Sequence, residues 1–131
     1  MRDRGSVVIV ENNKIGLIKR IRNGSVYYVF PGGGIEEGEN PETGAKREAF
    51  EELGVKVNVN ECFAKVEFNG TQYFFLAEII EGTFGTGQGE EYIYENRDRG
   101  TYLPIWVDIE KLSLLDVKPK EVALKVQSIF K

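Results

Sequence analysis

The stretch Gly33-Gly34-Ile35-Glu36-Glu37-Gly38-Glu39-Asn40-Pro41-Glu42-Thr43-Gly44-Ala45-Lys46-Arg47-Glu48-Ala49-Phe50-Glu51-Glu52-Leu53-Gly54-Val55 organises this chain. Asn40 is a good N-cap, Pro41 suits a first helical position, and Gly54 suits the residue after a helix end. The spacing predicts a helix over Pro41–Leu53. Ala45, Ala49, Phe50 and Leu53 recur at helical spacing, so one face belongs to a core. Glu48, Glu51 and Glu52 stand at i, i+3 and i+4 and share another face. Like charges at that spacing repel, and the C-terminal half of a helix disfavours anions. A hard divalent cation reverses that penalty, and carboxylate oxygens are the ligands Mg²⁺ and Mn²⁺ prefer. The competing reading is a solvated acidic face on a surface helix. The glycines of Pro31-Gly32-Gly33-Gly34 weigh against it, because a backbone without Cβ atoms approaches a ligand closely.

Working outward, residues 5–10, 15–21 and 26–30 read as strands separated by the turns Glu11-Asn12-Asn13-Lys14 and Arg22-Asn23-Gly24-Ser25. The third strand ends at Pro31, and a loop rich in glycine and glutamate runs to Glu39. Residues 55–68 read as extended, as one strand or two short ones. Asn69-Gly70 is a hairpin signal, with residues 72–80 pairing back. Residues 81–90 read as a loop with four glycines, and residues 91–96 and 101–107 as strands. Asp108 is expected to cap a helical turn over 109–112, and residues 118–130 form an amphipathic terminal helix. The order suggests an α/β (α+β) fold, a mixed sheet between helices.

The chain has 131 residues, a size that suits one domain. With 41% hydrophobic and 29% charged residues it reads as a folded globular chain rather than a disordered one. No run approaches the ~20 apolar residues of a membrane span, and the N-terminus lacks a signal-peptide pattern. The net charge of −4 argues against a sequence-independent grip on long nucleic acid, though not against small phosphorylated ligands. Cys62 is the single cysteine, which makes a reducing, cytoplasmic location the default. The chain has no histidine, which removes Ser-His-Asp and Cys-His catalysis and His-ligated zinc. Acid–base chemistry is left to carboxylates, Lys, Tyr or metal-activated water.

Gly33, Glu39, Arg47, Glu48, Ala49, Glu51, Glu52, Gly54 and Val55 resemble the box of the Nudix hydrolase family, G-x5-E-x7-R-E-U-x-E-E-x-G-U, where U is a bulky aliphatic residue. All seven fixed letters match. At about 7% usage per letter, a chance match at one starting point is on the order of 10⁻⁸. Ala49 departs from the pattern, which predicts looser packing there. Gly44, inside the helix, has no explanation in the sequence. Tyr28-Val29-Phe30-Pro31-Gly32-Gly33 is similar to the family's frequent Trp-x-Phe/Leu-Pro-Gly-Gly, with Tyr replacing Trp. The box covers residues 33–55. The resemblance implies an α/β/α sandwich and a single Nudix domain over residues 1–131.

It further implies hydrolysis of a pyrophosphate bond in a nucleoside diphosphate linked to another group, with Mg²⁺ or Mn²⁺. Glu48, Glu51 and Glu52 become metal ligands, with Gly33 adding its carbonyl and Glu52 the leading direct ligand. Arg47 either is a surface cation or pairs with Glu39 or Glu48 and holds the acidic set. Glu39 either supports that set or supplies charge near a helix N-terminus. Crowded carboxylates suit a general base working near neutral pH. The candidates are Glu51 and Glu52, with Glu90 and Glu91 after the second glycine-rich loop.

The substrate stays open. Tyr73, 18 residues past Val55, either resembles the tyrosine of the family's diadenosine-polyphosphate hydrolases or is an ordinary strand aromatic. The proline of many ADP-ribose enzymes is absent. Lys19, Arg20 and Arg22 either meet phosphates or are solvated strand-end charges. Tyr27, Tyr28, Phe84 and Trp106 either stack on a base or belong to the core. A nucleoside triphosphate or dinucleoside polyphosphate is the leading substrate. The alternatives are a non-catalytic nucleotide-sensing domain and an RNA 5′-end pyrophosphohydrolase. The intact set of box glutamates favours an enzyme. The expected partner is a small nucleotide, and the oligomeric state is left open.

Overall fold

In a computed structural model, which describes residues 2–87 and 100–130, the chain begins with β1 (Arg4–Glu11) and β2 (Lys14–Arg22), joined antiparallel. β3 (Ser25–Val29) returns along β2. The three-residue β4 (Gly32–Gly34) pairs antiparallel with β1, Gly33 opposite Gly5 and Gly32 opposite Ser6. The glycine run was expected to be loop. Three glycines carry no side-chain periodicity, so only the β1 backbone makes them a strand.

Helix α1 (Pro41–Leu53) occupies its expected bounds. The Asn40 side chain accepts from the Thr43 amide, and Gly54, at φ 77°, adopts the left-handed conformation that ends the helix. β5 (Val55–Glu67) is one strand with register shifts, paired antiparallel with β6 (Thr71–Gly82) across the Asn69-Gly70 turn. β6 runs parallel to β1, so the sheet is mixed. The strand expected over residues 91–96 lies outside the described residues.

β7 (Thr101–Asp108) pairs with β2. A 3₁₀ helix (Ile109–Leu114) follows, without a side-chain cap from Asp108. Lys14 instead holds the Asp108 carboxylate, at 2.9 Å, and lowers its pKa. The terminal helix α2 (Lys120–Ile129) starts later than expected, because Val117–Lys118 form β8 beside β3.

Strand alternation builds one core on each sheet face. Val8, Ile15, Leu17 and Phe74 pack with Val122, Ala123 and Val126 of α2. Val7, Ile9 and Ile18 pack with Ala45, Ala49 and Leu53 of α1. The result is a sheet sandwiched between helices, as expected. No helix among the described residues is long and apolar enough to cross a membrane. Ala49 is 1% exposed, and α1 comes closest to the β1 backbone nearer its first turns. A Cβ added to Gly5 of β1 would lie 2.8 Å from the Pro41 carbonyl oxygen of α1.

Candidate functional site

Burying Ala45, Ala49 and Leu53 turns the Glu48–Glu52 edge of α1 toward β4. Glu52 is buried, 6% exposed, and its Oε1 accepts a hydrogen bond from the Gly32 amide at 2.5 Å. A buried carboxylate needs such a donor. Glu48 packs against Gly33, and a Cβ on Gly33 would lie 2.6 Å from each Glu48 carboxylate oxygen. Glu51 extends further into solvent, its side chain 46% exposed. The three glutamates share a helix edge but not an environment.

Arg47 ties this edge to the preceding loop. Its Nε donates to Glu39 Oε2 at 2.9 Å and its Nη2 to Glu39 Oε1 at 3.1 Å and the Gly34 carbonyl at 3.0 Å. Its Nη1 donates to Glu48 Oε2 at 2.8 Å and Glu51 Oε2 at 3.2 Å. Glu39 also accepts from the Glu36 amide at 3.0 Å. The Arg47 hydrogen bonds, with that amide, hold the Glu39 carboxyl at about 2, below its ordinary 4.5. Glu39 in turn raises the Arg47 pKa. A Cβ on Gly44 would lie 3.0 Å from Glu39 Oε1. This explains the helical glycine, since a side chain there would crowd the Glu39–Arg47 pair.

The structure therefore brings Gly33, Glu39, Arg47, Glu48, Glu51 and Glu52 together, whereas Glu90 and Glu91 lie outside the described residues. The sequence named Gly32 only as part of the glycine run; in the fold its amide donates to Glu52. The donor set suits a hard divalent cation: carboxylates beside a strand of glycines that admits close approach. Among the described residues, no three acidic groups stand close enough to enclose an ion as they are.

A cleft of about 460 Å³ opens beside β1. Ser6, the register partner of Gly32, lines it together with Arg4, Phe30, Phe74, Lys118 and Glu121. At its edge, Lys118 lies 4.5 Å from the Tyr27 ring centre. Arg20 stacks over Tyr102 at 3.6 Å, so it is no simple solvated charge. Tyr28 packs into the core, and Phe84 lies against Trp106. Tyr73 lines a shallow cavity with Asn40 and Pro41, at the opposite end of α1 from Glu51 and Glu52.

The NUDIX domain family model matches residues 1–125. An RNA pyrophosphohydrolase of Pelagibacter ubique is 40% identical, the match covering 96% of this chain and 90% of that one. An 8-oxo-dGTP diphosphatase of Escherichia coli is 37% identical over 55% of this chain, and a MutT-like protein of Streptomyces ambofaciens 44% identical over 42%. The chain spans 61% and 34% of the length of these last two relatives, respectively. A MutT NUDIX hydrolase structure from Burkholderia pseudomallei superposes with a TM-score of 0.72 at 24% identity, over 95% of each chain, which shows the shared fold. Nudix hydrolases generally use divalent metal ions. From its box residues, its sandwich and the family match over nearly its whole length, the chain belongs to the NUDIX family.

Proposed function

We propose that this chain is one domain that hydrolyses a pyrophosphate bond in a small nucleotide, with Mg²⁺ or Mn²⁺ held by Glu48, Glu51, Glu52 and the Gly33 carbonyl. The supporting observation is the buried Glu52 carboxylate fixed to the Gly32 amide, beside Glu48 packed on Gly33. When bound, the cation supplies charge neutralisation at phosphate oxygens and lowers the pKa of water. The chain's own groups position it. Arg47 holds Glu48 and Glu51 side by side and fastens them to the loop through Glu39. The cleft beside Ser6 is lined by Phe30, Phe68 and Phe74, with Arg4 and Lys118 set against Glu67 and Glu121, and we seat the nucleoside there.

Water adds to one phosphorus, the bridging oxygen leaves with the other phosphoryl group, and the water's proton passes to a carboxylate. Glu51, Glu52, Glu90 and Glu91 are the candidate bases. Glu90 and Glu91 lie outside the described residues and stay candidates from the sequence alone. Catalysis of this kind is mostly positioning and electrostatics.

The test is a hydrolysis panel with Mg²⁺ and with Mn²⁺, products resolved by chromatography. It holds nucleoside triphosphates, oxidised ones included, with dinucleoside polyphosphates, ADP-ribose and sugar nucleotides. Metal-dependent turnover of a nucleoside triphosphate or dinucleoside polyphosphate supports the reading. A panel left intact by folded protein contradicts it. The long match to an RNA pyrophosphohydrolase favours a second reading, attack on 5′-triphosphorylated RNA. Release of pyrophosphate from such RNA, with the small-molecule panel intact, would establish it. Metal-dependent nucleotide binding without turnover would mark a sensing domain.

A further inference from the structure

The last turn of α1, which carries Glu51 and Glu52, is held from outside the helix. The Leu53 carbonyl accepts from the Gly85 amide at 2.9 Å and from the Thr86 amide at 3.0 Å. Terminal helix carbonyls need such donors. A Cβ on Gly87 would lie 2.6 Å from the Glu51 carbonyl oxygen and would strike that of Glu52 as well. Thr86 Oγ1 closes the strap by donating to the Thr83 carbonyl at 2.7 Å. One large side chain fastens this strap to the opposite strands. The Phe84 ring lies 4.4 Å from that of Trp106 on β7, tilted by 31°. It also covers Gly16 on β2, where a Cβ would lie 2.7 Å from Phe84 Cε2. Gly16 and Trp106 are register partners, so the two strands make one seat.

We infer that Phe84 is a positioning residue for the acidic end of α1: seated on Gly16 and Trp106, it holds the 83–87 strap against Leu53 and so sets where Glu51 and Glu52 stand. The inference rests on the proposed metal-dependent hydrolysis. Phe84 acts on the two glutamates through the Leu53 carbonyl. Phe84 and Trp106 also pack at the margin of the core that seats Ala45, Ala49 and Leu53 of α1, so the urea midpoint is read beside the site.

The experiment compares Phe84→Ala, Phe84→Tyr and Gly87→Ala with the unaltered chain. Three readouts are taken: the kcat and KM split, Mn²⁺ affinity by electron paramagnetic resonance without nucleotide, and the urea midpoint. Phe84→Ala is expected to lower kcat about tenfold or more with KM little changed, the scale of an ångström-sized misplacement. Mn²⁺ affinity should weaken several-fold, and Phe84→Tyr should restore both. Gly87→Ala should reproduce the loss with the aromatic seat intact, and it carries the test if Phe84→Ala fails to fold. Folded Phe84→Ala or Gly87→Ala protein with unchanged kcat and Mn²⁺ affinity would overturn the inference. So would a kcat loss that merely follows the unfolded fraction. Unaltered protein that neither turns over nor binds Mn²⁺ contradicts the hydrolase reading itself, and this inference with it.

Discussion

Arg47 grips Glu39 with two parallel hydrogen bonds, Nε to Oε2 at 2.9 Å and Nη2 to Oε1 at 3.1 Å. The remaining Nη1 donates to both Glu48 and Glu51. One guanidinium thus joins the glycine-rich loop to the acidic edge of α1.

That grip sets a pH dependence. Folding lowers the Glu39 carboxyl from 4.5 to about 2, so the fold favours the charged form. The stabilisation is complete above pH 4.5 and is lost as pH falls through about 2. The urea midpoint of the unaltered chain should exceed that of Glu39→Gln near neutrality, and the gap should shrink across this window. A gap that is constant down to acid pH would contradict the assignment.

Arg47→Lys keeps the charge but loses the fork that reaches Glu39, Gly34, Glu48 and Glu51 together. Charge-assisted hydrogen bonds contribute about 1.5–3 kcal/mol each. A loss of about 2 kcal/mol in urea unfolding is expected, with a fall in kcat.

Gly33→Ala directs a methyl group at the Glu48 carboxylate. The carboxylate is the end of a flexible side chain, so the fold should persist while the glutamate moves. Turnover should fall about 10²-fold with an unchanged circular dichroism spectrum.

Ala49→Leu tests the fit of α1 on the sheet. Ala49 is 1% exposed, and α1 approaches the β1 backbone at Gly5. Overpacking here should cost about 1–3 kcal/mol, read from urea midpoints. A stabilised variant would show that the smaller residue leaves space, as the sequence pattern suggested.

The acidic helix was legible because its signals are local: Asn40, Pro41 and Gly54 mark its ends, and the glutamate spacing marks its edge. The Asn69-Gly70 turn was legible for the same reason. β4 was not, since glycines acquire strand geometry only from β1. Nor was the late start of α2, which depends on Lys118 meeting Val29 in β3. At the site, the box residues stood out by their fixed spacing. The Gly32 amide on Glu52 and the strap on Leu53 are tertiary contacts between segments far apart in sequence, and no periodicity encodes them. Gly44 looked like a defect until the fold placed Glu39 beside it.

The central claim is that Glu52 belongs to a metal-dependent hydrolytic site. Its most direct test is the Mg²⁺-dependent turnover of a nucleotide substrate by Glu52→Gln against the unaltered chain, each confirmed as folded. Glutamine can still accept from the Gly32 amide but carries no charge for a cation. The account predicts a loss of about 10²-fold or more in kcat. Near-normal Mg²⁺-dependent turnover by the variant would contradict it.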